Sequence, residues 1–129
     1  MTRILAATVF DSTILIAHLR GDTRATELLL SVPTTDRLVS VLSKVEIEGG
    51  MRSSERGDVA RLFGAVRLLP VGDAIASQAG AFLRTFRRSH LGIDTVDYVI
   101  AATATVMDAE LATFNVKHFP MFRGLKAPF

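Results

Sequence analysis

The sequence contains no cysteine, which excludes disulfides and any thiolate metal site. Nor does it contain a run of roughly 20 apolar residues, the length a membrane-spanning helix needs. Its opening, Met1-Thr2-Arg3-Ile4-Leu5-Ala6-Ala7, faintly resembles a short signal segment, but Asp11 and Ser12 break the apolar run before a cleavage region could form. A soluble, cytoplasmic chain with no membrane partner is expected. Linkers rich in proline, glycine or serine, internal repeats and low-complexity segments are also missing, so residues 1–129 are read as one domain. No large charge of one sign is present: the formal net charge is +2, and twelve of the 15 basic residues are arginine. Arginine's planar fork suits phosphates and carboxylates, so the small positive balance is compatible with RNA and with an acidic protein segment alike.

What is present is the composition of a globular protein, 49% apolar and 22% charged. Val9-Phe10 suggests a short buried strand ending at Asp11. Ser12 and Thr13 are suited to capping the apolar helix that follows, which ends at Gly21. Thr23–Val32 has helical spacing and is closed by Pro33. Arg37–Leu42 reads as a second strand, after which Ser43-Lys44-Val45-Glu46 matches a capping box with Ser43 as N-cap. The helix so begun contains Gly49-Gly50, each costing about 1 kcal/mol against alanine in a helix interior. A helix near Glu55–Val66, a strand at Arg67–Pro70 and a long helix opened by Asp73 come next. Asp94 caps a further helix with Val96, Val99, Ile100, Thr103 and Val106/Met107 on its buried side. Leu111–Thr113 is the last strand, and Lys117–Phe119 a turn before the tail. Alternating strands and helices predict an α/β sandwich with a mainly parallel sheet. Ligands of such sheets bind beyond the carboxyl ends of the strands.

That rule gathers the polar residues. Asp11 ends the first strand, Glu46 lies in the first turn after the second, Asn115 lies just past the last, and Asp97 is in the first turn of the helix that Asp94 opens. Taken singly, each admits a structural role: turn residue, capping-box glutamate, N-cap, or a carboxylate favoured by the helix dipole. Taken together, Asp11, Glu46 and Asp97 are three carboxylates from three elements at one sheet edge. They would repel one another unless a cation neutralised them. Oxygen ligands without cysteine suit Mg2+ or Mn2+ rather than zinc. A cation of this kind serves phosphoryl chemistry by lowering the pKa of a bound water and orienting it.

Four segments, in order, resemble the motifs of the PIN-domain family, and specifically its VapC-type toxin ribonucleases. Phe10-Asp11-Ser12-Thr13-Ile14-Leu15-Ile16 resembles the opening strand, aspartate and hydroxyl pair. Ser40–Gly50 resembles the second motif, whose glutamate followed four residues later by glycine selects Glu46 over Glu48. Asp97-Tyr98-Val99-Ile100-Ala101-Ala102-Thr103-Ala104 is very close to the third, and Ala112–Phe119 resembles the fourth, with Asn115 where many members carry aspartate. The resemblance implies a PIN-like α/β/α sandwich, a magnesium- or manganese-dependent endoribonuclease acting on an RNA substrate, a homodimer, and neutralisation by a VapB-type antitoxin. It assigns Asp11, Glu46 and Asp97 as catalytic metal-site acids. Asn115, Asp94 and Thr13 are accessory candidates, with Asp94 mainly the N-cap. Lys117 and the cluster Arg84, Arg87 and Arg88 are candidates for phosphate contact, and His118 is read as structural. Asn115 also motivates a second reading, a PIN-like RNA- or protein-binding module without nuclease activity, because it removes one charge from the site.

Overall fold

The computed structural model of the chain describes residues 6–129; the first five residues of the opening segment weighed above as a signal lie outside the described residues. The strands are β1 (Thr8–Phe10), β2 (Arg37–Ser40), β3 (Arg67–Leu69) and β4 (Glu110–Ala112), all parallel, in the order β3-β2-β1-β4. The helices are α1 (Ser12–Leu19), α2 (Thr23–Leu30), α3 (Val41–Gly50), α4 (Arg56–Gly64), α5 (Asp73–Phe86) and α6 (Thr95–Val106). This is an α/β fold with a parallel sheet between two helical layers.

Strand alternation builds the two layers. Successive side chains of a strand point to opposite faces. Phe10, Val39, Leu68 and Ala112 pack into one cluster with residues of α1 to α4, while Val9, Leu38, Leu69 and Leu111 pack into another with Ile100, Ala101 and Ala104 of α6. A third cluster joins Ile75 and Ala79 of α5 to Tyr98, Val99 and Ala102. Seven consecutive residues of α6, Tyr98 to Ala104, are buried. The helix is clasped between sheet and α5, and its small residues let both approach closely.

Two sequence expectations are corrected. The second strand ends at Ser40, and the N-cap of α3 is Ser40, whose Oγ accepts from the Leu42 N–H at 3.2 Å. Ser43 is therefore a buried residue inside the helix, and Glu46 is not a capping-box glutamate. The shift also carries Gly49-Gly50 to the last two positions of α3, where the penalty for glycine in a helix interior falls away. In addition, Val106 is 41% exposed, so the buried face of α6 ends on Met107 instead.

Candidate active site at the carboxyl edge of the sheet

Chain order places β2 and β3 on one side of β1 and β4 on the other. The strand order thus reverses between β1 and β4, and crevices of parallel sheets open at such a reversal. Phe10 pairs with Ala112, so the residues just beyond the strands, Asp11 and Thr113, stand side by side, and the Asp11 N–H donates to the Ala112 carbonyl at 3.0 Å. Asp11 is 4% exposed. Its Oδ2 accepts from the Thr13 hydroxyl at 2.9 Å and from the Thr113 hydroxyl at 2.8 Å. Those hydroxyls are themselves acceptors: Thr13 from the Phe114 N–H at 3.2 Å, and Thr113 from the Asn115 N–H at 2.9 Å. A buried carboxylate is retained at low cost only when its lone pairs are matched by donors. Here two threonines supply them to one oxygen, and Oδ1 accepts no hydrogen bond among the described residues.

The other two acids stand on helices. Asp94 is the N-cap of α6: its carboxylate accepts from the Asp97 N–H at 2.9 Å, and Asp97 Oδ2 faces the Asp94 N–H at 3.4 Å, closing a capping box. The same Oδ2 lies 2.9 Å from His118 Nδ1, at ion-pair distance but without the direction of a hydrogen bond. Burial and the charge of Asp94 raise the Asp97 carboxyl above the usual carboxylate range, with Asp11 adding to the effect; the Asp94 N–H and His118 oppose it. Glu46, on the first turns of α3, is raised by burial and by the charges of Asp11, Asp94 and Asp97, against a hydrogen bond from the Ser12 side chain. Glu46 and Asp97 therefore both feel Asp11 and Asp94.

Not every expected residue joins this group. Asn115 is exposed and reaches it through its backbone N–H. Lys117 is exposed on the short 3-10 turn Val116–His118. Arg84, Arg87 and Arg88 are exposed at the end of α5 and form no ion pair with these acids among the described residues. Conversely, Thr113 and His118 stand against the acids and Ser12 acts on Glu46, although the sequence reading gave Ser12 a capping role, His118 a structural one and Thr113 none. For Thr113 the missing information was strand order, since only the β1–β4 neighbourhood brings it beside Asp11.

Among the described residues, no three histidine, aspartate or glutamate side chains are gathered closely enough to ligate one ion. The donor set nevertheless suits a hard divalent cation. It consists of oxygens, one of them on a fixed buried carboxylate, and two neighbouring carboxyls are raised by the crowding that a cation would relieve. Asp11, Glu46 and Asp97 are the residues that could hold it.

Known proteins resemble this chain in sequence and in fold. A sequence model of the PIN domain matches residues 8–121. The ribonuclease VapC10 of Mycobacterium tuberculosis is 51% identical over 120 residues, covering 92% of this chain and 90% of the relative. The ribonuclease VapC19 of the same organism is 43% identical over 123 residues, covering 94% and 98%. Among solved structures, a toxin–antitoxin complex from Klebsiella pneumoniae superposes with a TM-score of 0.80 at 23% identity, covering 95% of this chain and 98% of that one. VapBC2 from Rickettsia felis, bound to a DNA fragment from its promoter, gives 0.75 at 17% identity, with 93% and 96% covered; at these identities the likeness is one of fold. With a family match spanning most of the described residues and relatives at half identity, the chain belongs to the PIN-domain family and is closely related to the VapC-type toxins of bacterial toxin–antitoxin systems.

Proposed function

We propose that this chain, as a single domain over residues 1–129, is a magnesium- or manganese-dependent endoribonuclease and the toxin of a type II toxin–antitoxin pair. The observation that carries the reading is the 51% identity of this chain to a ribonuclease over 92% of its length, supported by the influence of Asp11 on both the Glu46 and the Asp97 carboxyls. Asp11, Glu46 and Asp97 hold the ion; when bound, it supplies positive charge that acidifies water and offsets phosphate charge. Asp11 is the fixed member, held by Thr13 and Thr113. Glu46 accepts a proton from the attacking water. The water oxygen bonds to phosphorus as the phosphorus–O3′ bond breaks. The 3′-oxygen takes up a proton, leaving a 3′-hydroxyl and a 5′-phosphate.

The assembly we propose is a homodimer neutralised by a VapB-type antitoxin. The solved relatives include toxin–antitoxin complexes. A mixed but mainly apolar cavity of about 410 Å3, bounded by Leu19, Leu29, Leu30, Leu62 and Val66, lies between α1, α2 and α4. With Leu30 67% exposed beside it, this cavity suits the apolar face of an antitoxin helix. The experiment for the activity is RNA decay by the purified chain, free of antitoxin, in magnesium with and without EDTA. Decay is expected only with free magnesium, and equal decay by wild type and Asp97→Ala would refute catalysis. A non-cleaving binding module is the second reading, favoured by the wide spacing of the acids and by Asn115. Calorimetry decides between them: absence of magnesium and manganese binding at millimolar concentration selects the module.

A further inference from the structure

A second cavity, of about 550 Å3, is lined by α1, α3 and the 3-10 turn Ser53–Glu55. Its lining is mixed: Glu46, one of the site's acids, Ile16, Ile47 and Met51 as apolar surface, and Arg20 and Arg52 as cations. Both arginines are exposed, and neither guanidinium forms an ion pair among the described residues. Glu55, the other acid of the lining, accepts from the Arg52 backbone N–H at 2.8 Å, so its carboxylate is engaged away from that guanidinium. Along α1, the step from Ser12 to Arg20 is about 12 Å at 1.5 Å per residue. The α3 wall ends in Gly50, where an added Cβ would meet nothing within 4 Å, so a larger side chain can be placed there.

We infer that this groove is a specificity subsite of the proposed nuclease, holding one unpaired nucleotide next to the scissile phosphate. The base lies on the apolar stretch, and the following phosphate meets Arg20 and Arg52. The fit is one of shape and charge together. A nucleotide is an apolar-faced plane flanked by two anions, one of which belongs at the acidic site with its cation. Extruded bases of single-stranded loops are read in this way, on apolar or guanidinium surfaces with polar edges. The volume lies within the range of small-ligand sites.

The inference rests on the nuclease reading, so binding and cleavage are tested separately. In an Asp97→Asn background, single-stranded and hairpin-loop oligonucleotides are titrated by fluorescence anisotropy against Arg20→Ala/Arg52→Ala, Gly50→Leu and, as a charge-matched control outside the groove, Arg67→Ala/Arg123→Ala. Gly50→Leu fills the groove while favouring the helix. Both groove variants are expected to bind at least 10-fold more weakly, with the control within twofold. In the cleaving background, a randomised RNA pool sequenced at its new 5′ ends is expected to show a base preference beside the cut that Gly50→Leu changes. Equal affinity and an unchanged cut-site distribution in both groove variants would overturn the subsite. So would unchanged RNA binding accompanied by lost binding of the antitoxin encoded beside the gene, which would assign the groove to protein. RNA that binds through the groove and is never cut would refute the nuclease reading alone.

Discussion

The strand-borne and helix-borne halves of the acidic site are built on opposite principles. At the end of β1, Asp11 is buried and its charge is matched: two threonine hydroxyls converge on one oxygen. On α3 and α6, Glu46 and Asp97 are less buried, and the partners they have do not offset burial and neighbouring acids, so each is raised. The first half is finished without a ligand. The second is held under repulsion that a divalent ion would relieve. A preformed anchor beside crowded partners is the arrangement in which the proposed cation would enter without reorganising the sheet.

Substitution of either half should abolish activity while separating their effects on the fold. Asp11→Asn and Asp97→Asn are each expected to lower magnesium-dependent RNA cleavage by on the order of 10³-fold, as loss of a charge-stabilising group does in other sites. Denaturant titration then divides them: Asp11→Asn lowers the midpoint, whereas Asp97→Asn leaves it unchanged or raises it. Equal destabilisation would break the distinction. The anchor is probed next by Thr113→Val, which strips a donor from a buried carboxylate and an acceptor from the Asn115 N–H. A loss of about 1–3 kcal/mol in unfolding free energy is expected, with Thr113→Ser recovering most of it. Ser40→Ala removes the observed cap of α3 and should cost about 1 kcal/mol, while Ser43→Ala leaves the cap intact; the reverse ranking would restore the capping box expected from sequence.

The smallest effect is that of pH. Glu46 and Asp97 have folded-state values above those of the unfolded chain. Their stabilising contribution is therefore complete below the unfolded values and is lost as pH rises through the folded ones. Metal-free protein should gain stability relative to the Glu46→Gln/Asp97→Asn double variant as pH falls from about 7 toward about 4. Magnesium at neutral pH should close part of the same gap. Parallel pH profiles of the two proteins in thermal melts would show that the acids do not repel.

The sequence carried the architecture and the identities of the acids farther than their surroundings. Asp11, Glu46 and Asp97 could be singled out as candidates because each lies at or within a few residues of the start of an element marked by apolar runs. Asp94 and Asp97 could be told apart because an N-cap and its N3 partner differ in spacing alone, and the structure pairs them as a capping box. The start of α3 was not legible. Ser40 and Ser43 both precede apolar residues at capping distance, and only the end of pairing with β3 at Leu69 selects Ser40. Thr113 and His118 were obscured for a different reason. Their contacts depend on which strand lies beside β1, a choice made by packing across the sheet.

The hydrogen bond from Thr113 to Asp11 joins residues 102 positions apart, and this separation governs when the site can exist. A chain emerging from the ribosome presents Asp11 102 residues before the hydroxyl that completes its support. Until β4 docks beside β1, Asp11 lacks both the neighbouring strand and one of its two donors. Contacts that close so long a loop form late in folding. Nascent and partly folded chains therefore carry the acids without the anchored site, and the arrangement comes into being only as the last strand is laid down.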